Sequence, residues 1–281
     1  MRPRARHALI EPLGDAATAA SCNLHNYPEL VPGPKKGDDD KRLCTNVLNG
    51  LSPQDVILSL GSNNEFGFEE QMLGCTRSHI AVFDCTVANA TNKPLTQRVS
   101  FHRYCVGDEA AESAQFRTYA TIAQIALEAA AEASPATARR YGGSGGNGLG
   151  RIALLKADIE GWEWLVLDQV LAAGPAALPI QIAVELHLKT QPWRNVPGFR
   201  VPSPVWHWPM GRSGSAVLED GANRLRLLRT QMADAGYLLV DRNDNPWCGH
   251  CTEVLFLRNT QAARRTHLIS TRPTVHRPYT E

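Results

Sequence analysis

An α/β fold on a mainly parallel sheet, closed by an antiparallel hairpin, is the class this sequence predicts. Three observations predict it. Short apolar runs ended by a glycine or an acid recur along the chain, as buried strands do. Helical patterns alternate with them, which implies right-handed crossovers and parallel pairing. Two late runs, YLLVDRN and CTEVLFL, are separated only by the turn-rich DRNDNPWCGH, which reads as a hairpin.

Taken in order, residues 1–42 are rich in Pro, Gly and charge (VPGPKKGDDDKR) and read as disordered or irregular. The first strand is DVILSL, from Asp55, ended by Gly61. HIAVFD (His79 to Asp84) is the second and VSFHRYCVG (Val99 to Gly107) the third. Tyr119 to Ala133 is Ala-rich with Ile122, Ile125 and Leu127 near helical spacing, so a helix is expected. Residues 134–150 are a flexible Gly/Ser-rich insert. RIALLKADI, from Arg151, is the fourth strand; GWEWLVLDQVLAA is a buried helix stopped by Gly174 and Pro175. PIQIAVELHL is the fifth strand, followed by a Pro/Trp-rich loop from Gln191 to Gly214. ANRLRLLRTQMADAG is an amphipathic helix with Leu225, Leu228 and Met232 on one face and Gly236 as its stop. The hairpin supplies the sixth and seventh strands. A basic tail, 259–281, has no core pattern. Residues 43–258 therefore form one domain.

Composition removes several function classes. A 43% hydrophobic, 20% charged chain of 281 residues buries a real core and is not globally disordered. A net charge of +1 argues against a broadly basic nucleic-acid surface, so no nucleic-acid partner is expected. The longest uncharged apolar stretch, Gln169 to Val184, is short and carries Pro175 and Pro179, so no membrane span is expected. Seven scattered cysteines do not resemble a small disulfide scaffold. The compartment stays open. The cytoplasm is the default, the Arg-rich start MRPRARHALI is compatible with an organelle transit peptide, and a secretory lumen is the remaining option. Nothing in the pattern specifies an oligomeric state.

In an open parallel sheet, ligands bind at the carboxyl ends of the strands, near the switch in strand order. That gathers GSNNEFG, Asp84, DIEG and ELH. Gly61 permits a tight turn and close approach to a ligand. Asp84 lies 23 residues further on, at the end of the next strand, where an acid grips a ribose hydroxyl pair. There is no full GxGxxG to cradle a pyrophosphate, which disfavours an NAD-type oxidoreductase and favours S-adenosylmethionine.

The stretches LSLGSNNEFGFEEQML, AVFDCTV, LLKADIEGWEWLVL, QIAVELH and NPWCGHCTEVLF, with the upstream GDDDKRLC, resemble a family of eukaryotic methyltransferase-like proteins of the methyltransferase-like protein twenty-four type. That family is distantly related to FkbM-type methyltransferases. The resemblance spans roughly 37–257. It implies a Rossmann-like class I methyltransferase fold with a seven-stranded sheet and S-adenosyl-L-methionine as cofactor. By resemblance, Gly61, Ser62 and Asn63 match the cofactor loop, Asp84 the ribose acid and Asp158 the acid ending the fourth strand. Val106, Gly107 and Asp108 match the adenine end. Many methyltransferases carry an acid where this chain has Ser59, so one usual cofactor-orienting carboxylate is absent.

Methyl transfer from a sulfonium is an in-line displacement, and a hydroxyl or amine acceptor must also lose a proton. Asp158, Glu160 and His187 are the catalytic candidates, His187 as general base because its ordinary pKa lies near neutrality. Acids of this kind also suit a divalent cation, but no metal is predicted. Glu163 and Glu185 are equally well read as structural acceptors of backbone N–H groups or arginine. The expected acceptor is a small-molecule or glycan-like hydroxyl, the glycan leaning coming from the FkbM resemblance alone. A catalytically inactive methyltransferase-like binding domain is the alternative. CGHC (Cys248 to Cys251) lacks the further ligands zinc needs and reads as buried thiols or a disulfide. Trp162 and Trp164 are expected to pack a helix on the sheet, Trp206 and Trp208 to lie near the acceptor.

Overall fold

The computed structural model describes residues 24–26, 41–49, 51–107, 115–133, 150–174, 177–188, 214–244 and 251–259. Asp108, Cys22, Cys248, Trp206, Trp208, most of the Gly-rich insert, the Pro/Trp-rich stretch and the basic tail lie outside them.

The elements are β1 (Leu24–Asn26), β2 (Arg42–Cys44), α1 (Thr45–Leu48), β3 (Val56–Leu60), α2 (Gly67–Cys75), β4 (His79–Phe83), β5 (Val99–His102), β6 (Cys105–Val106), β7 (Phe116–Arg117), α3 (Tyr119–Ala133), β8 (Ile152–Ala157), α4 (Glu163–Ala172), β9 (Gln181–His187), α5 (Gly214–Asp234), β10 (Tyr237–Asp244) and β11 (Cys251–Arg258). Seven strands form the main sheet in the order β10-β11-β9-β8-β3-β4-β5. The β3–β4, β4–β5, β3–β8 and β8–β9 pairs are parallel, and β11 runs antiparallel to both its neighbours. This is the Rossmann-like architecture expected from the sequence, mainly parallel with a C-terminal antiparallel hairpin. The hairpin folds inward, so the last strand lies inside the sheet and β10 takes the edge.

Strand character follows from composition. β3 (VILSL), β4 (HIAVF) and β8 (IALLKA) are buried at every position, as near-continuous apolar strands of a parallel sheet are. Alternate residues feed opposite faces. Val56, Leu58 and Leu60 join α3, α4 and α5 in one core cluster, through residues such as Ile122, Val166 and Leu228. Ile57 points the other way, to Phe66, Phe68 and Met72 at and within α2 and to Leu43 of β2.

Two local differences from the expected elements matter. The third predicted strand breaks at Arg103–Tyr104: β5 stays in the main sheet, whereas Cys105–Val106 pairs with Phe116–Arg117 in a two-stranded sheet of its own. Within the segment expected to be irregular, Leu24–Asn26 pairs antiparallel with Arg42–Cys44. Cys44 and Lys41 beside it are buried, and the Cys44 N–H donates to Gln181 of β9. That bond ties β2 to the sheet. No helix of the described residues is long and apolar enough to cross a membrane.

Candidate functional site

The strand order reverses between β3 and β8, and the carboxyl ends there are stitched together. Gly61 N–H donates to Phe83 O, Asp84 N–H to His102 O and Asp158 N–H to Leu60 O. Gly61 has φ +78°, a conformation open to glycine at little cost. A Cβ there would lie 2.0 Å from the Asp158 carbonyl oxygen. The close approach that the sequence suggested is thus made to the chain's own DIEG turn. Beyond Ser62, Asn63 (φ +46°) and Asn64 (φ +62°) are left-handed too, which asparagine tolerates better than most residues.

Asp84 organises this turn. Its Oδ2 accepts the N–H groups of Ser62 (3.0 Å) and Asn63 (2.8 Å) and the Ser62 hydroxyl. Its Oδ1 accepts the Thr86 N–H (2.8 Å) and hydroxyl (2.6 Å). Burial would raise its pKa, but the bonds from Thr86, Asn63 and Ser62 win, and the carboxyl is held below its ordinary value. Next to it, Cys85 forms a disulfide with Cys105. This crosslink brings Val106 and Gly107 to the Asp84 side of the sheet. Gly107 is buried, its N–H donates to Arg117 O, and its carbonyl accepts Gln169 Nε2 of α4.

The second half of the site lies beyond β8 and β9. Glu160 has φ +58°, an unusual conformation for a residue of its kind, followed by Gly161 at +106°. Glu163, fully buried, holds this turn: it accepts Ile159 N–H and Gly161 N–H, both at 2.8 Å. The same carboxylate lies 3.0 Å from His187 Nδ1, and Glu160 lies 3.3 Å from His187 Nε2. Burial opposes a charge on His187, but the bond to Glu163 and the charges of Glu163, Glu160 and Asp158 push its pKa up to about 9. His187 is therefore imidazolium at neutral pH. Trp164 is buried, donates to His187 O at 3.0 Å and carries the Arg224 guanidinium over its ring. Its packing role is the one the sequence suggested.

On the face of the sheet that carries β2, Glu185 of β9 stands directly opposite Glu253 of β11. Like charges so placed repel. The Lys41 ammonium answers both: it bonds Glu253 and lies 3.4 Å from Asp158 and 3.8 Å from Glu185. Burial disfavours the lysine's charge, yet Glu253, Asp158 and Glu185 together push its pKa above the ordinary range. Burial would raise Asp158, but Lys41 and Lys156 lead the interactions that lower it. For Glu253 burial wins and the carboxyl is pushed up.

Asp158, Glu185 and His187 offer ligand atoms within 4.8 Å of one another, the metal-like group among the described residues. A metal there would have to displace the Lys41 ammonium and deprotonate His187. The donor set already has its cation, and no step below uses a metal.

The fold thus gathers Ser62, Asn63 and Asp84 in one cluster and Asp158, Glu160 and His187 in another, joined where Gly61 abuts Asp158. Gly107 stands apart, held to α4. Lys41 and Glu253 escaped sequence reasoning, although a lysine just before RLC and an acid inside the apolar CTEVLFL were visible signals. The Cys85–Cys105 bond also escaped it. Cys44 and Cys251 are disulfide-bonded as well, and Cys75 is the free thiol among the described residues.

No family model matches the sequence, and no curated protein does. Among solved structures the chain is similar to a fibrillarin/Nop5p complex, at 10% identity and TM-score 0.41, over 77% of this chain and 80% of that one. It is also similar to the mitomycin 7-O-methyltransferase MmcR, at 9% identity and TM-score 0.27, over 76% of this chain and 52% of that one. Likenesses this distant carry no argument about function.

Proposed function

We propose that this chain is an S-adenosylmethionine-dependent methyltransferase acting on a small-molecule or glycan-like hydroxyl. One observation carries the reading: at the switch between β3 and β8, the Asp84-pinned turn abuts the DIEG turn with its acid–histidine cluster. A nucleoside-side anchor and a proton-handling group are thus neighbours, as a transfer reaction requires.

The cofactor would supply an electrophilic methyl group on a sulfonium. Asp84 fixes Ser62, Asn63 and Thr86, whose oxygens and the carboxylate edge face the ribose in this reading. Gly61 keeps the turn flat against Asp158. Gly107, with Asp108, serves the adenine end. On the acceptor side, Asp158 stays ionised beside Lys41 and orients the acceptor hydroxyl. His187, steered by Glu163, takes the acceptor proton in its neutral form, with Glu160 passing the proton to solvent. The acids repel phosphorylated acceptors. The Cys85–Cys105 bond supports a disulfide-permitting compartment, an organelle or secretory lumen, over the cytoplasm.

The second reading is a methyltransferase-like binding domain without turnover. It is favoured by His187, whose two ring nitrogens both face carboxylates and whose neutral form is scarce at pH 7. Calorimetry with S-adenosylmethionine, S-adenosylhomocysteine and NAD decides the cofactor, and the proposal expects heat from the two sulfur nucleosides and none from NAD. Folded protein that binds neither sulfur nucleoside overturns it. Binding without methyl transfer to any component of a cell extract, read by mass spectrometry with labelled cofactor, leaves the second reading.

A further inference from the structure

Asn89, Ala90 and Thr91 make the one Asn-x-Ser/Thr triplet of the sequence, with alanine and not proline in the middle. Such a triplet is the acceptor for N-linked glycosylation when the chain enters a secretory lumen and the asparagine ends on the surface of the fold. The motif is short, so its weight depends on where the fold puts it and on the company it keeps.

The fold puts it in the irregular connection between β4 and β5. Asn89 and Thr91 are both exposed, and the chain bends there as the Thr91 N–H donates to Asn89 O at 2.9 Å. Among the described residues, no hydrogen bond holds the Asn89 carboxamide. The rest of the loop is anchored. Asn64 Nδ2 donates to the Thr91 hydroxyl at 3.0 Å, and Asn92 bonds Asn64 through its own N–H and its Nδ2. A substituent on Asn89 therefore displaces no bond and no packed side chain.

The cysteines supply the second, independent observation. Asn89 follows Cys85 by four residues and lies inside the loop that the Cys85–Cys105 bond closes. Cys44 and Cys251 are disulfide-bonded too. Bonds of this kind form and persist in an oxidising lumen, and the secretory lumen is also where asparagine is glycosylated.

We propose that Asn89 carries an N-linked glycan, added in the lumen where the disulfides form. The donor is an oligosaccharide linked to a polyprenyl diphosphate, and the lumenal transferase catalyses the step. The bond from the anomeric carbon of the sugar to the diphosphate oxygen breaks, and a bond from that carbon to Asn89 Nδ2 forms. The amide gives up one proton, and the polyprenyl diphosphate leaves with the electron pair. No oxidant or reductant is needed. The inference rests on the disulfide-permitting compartment proposed above and narrows it to a secretory lumen; it does not depend on the cofactor.

The test expresses the full chain in animal cells and treats the purified protein, in heavy-oxygen water, with the amidase that removes N-linked glycans. Gel mobility and peptide mass spectrometry read the result, and alkylation of the same sample reads the thiol state of Cys85 and Cys105. The expected result is a gel shift of one glycan that the amidase reverses, with Asn89 recovered as heavy-oxygen aspartate. Asn89→Gln and Thr91→Ala are expected to lose the shift. Thr91→Ser keeps both the triplet and a hydroxyl for Asn64, and is expected to retain it. Unmodified Asn89 in protein whose Cys85–Cys105 bond is closed overturns the inference alone. Unmodified Asn89 with both cysteines as thiols overturns the compartment reading with it. A shift that survives in Asn89→Gln places the glycan elsewhere and overturns the assignment. Where Asn89→Gln does not fold, the Thr91→Ala and Thr91→Ser pair carries the test, and an equal shift in both overturns the inference.

Discussion

The two halves of the site are held by different forces. At the ends of β3 and β4, Asp84 takes five bonds from its own chain, three of them backbone N–H groups, and the turn it holds carries left-handed Gly61, Asn63 and Asn64. At the ends of β8 and β9, the side chains are held by charge: Lys41 and His187 against Asp158, Glu160, Glu163, Glu185 and Glu253. Hydrogen bonds to backbone set a geometry that ordinary pH does not alter. An ion network leaves protonation states adjustable. The first half suits an invariant ligand, the second an acceptor that must lose a proton.

The contrast breaks most sharply at Lys41. Lys41→Met leaves buried Glu185 and partly buried Glu253 face to face beside Asp158, and a loss of about 3–5 kcal/mol is expected in denaturant titrations. A loss under 1 kcal/mol would mean that the acids carry no charge in the folded protein. Next comes the Cys85–Cys105 crosslink, with a sequence separation of 20. Replacing both cysteines with serine is expected to lower stability by about 3 kcal/mol, through a less constrained unfolded chain, and to weaken cofactor binding by freeing Val106–Gly107. Thermal melting of the double variant beside wild type reads the first effect, calorimetry the second.

Asp84→Ala removes the acceptor for Ser62, Asn63 and Thr86. An expected loss of about 2 kcal/mol in stability accompanies at least tenfold weaker nucleoside binding. Binding that survives intact would place the nucleoside elsewhere. The smallest effect is a pH dependence in the charged half. The folded-state pKa of His187 is raised to about 9, above its unfolded value near 6.5. Its stabilising contribution is therefore complete below about pH 6.5 and is lost as pH rises through about 9. His187→Gln is expected to flatten that slope in urea titrations run from pH 6 to 10. Under the proposed activity, turnover should rise over the same interval as the neutral base forms. A flat rate profile across that interval would remove His187 from the role of base.

Much of this is legible in the sequence. Val56–Leu60, His79–Phe83 and Ile152–Ala157 are apolar runs that are buried on both faces wherever they go, so their strand character was readable locally. Gly61 announced a turn because few residues other than glycine take its φ. The break after His102 is not readable locally, because Tyr104 and Cys105 have strand composition, and it is the distant partners, the disulfide to Cys85 and the pairing with Phe116–Arg117, that hold the segment off the main sheet. Glu163 was ambiguous between catalysis and structure until two backbone N–H groups were seen to converge on it.

The sequence by itself determined the alternation of strands and helices, the closing hairpin, and the gathering of GSNN, Asp84, DIEG and ELH at one end of the sheet. Period, apolar run length and glycine placement are local properties, and parallel crossovers leave only one edge where those turns meet. The tertiary structure alone decided the partners: Lys41 with Glu253, 212 residues away, and His187 with Glu163 and Glu160. A charge buried in the fold is tolerable only beside its counter-charge, and which counter-charge that is depends on strand order and register, which no stretch of chain encodes alone.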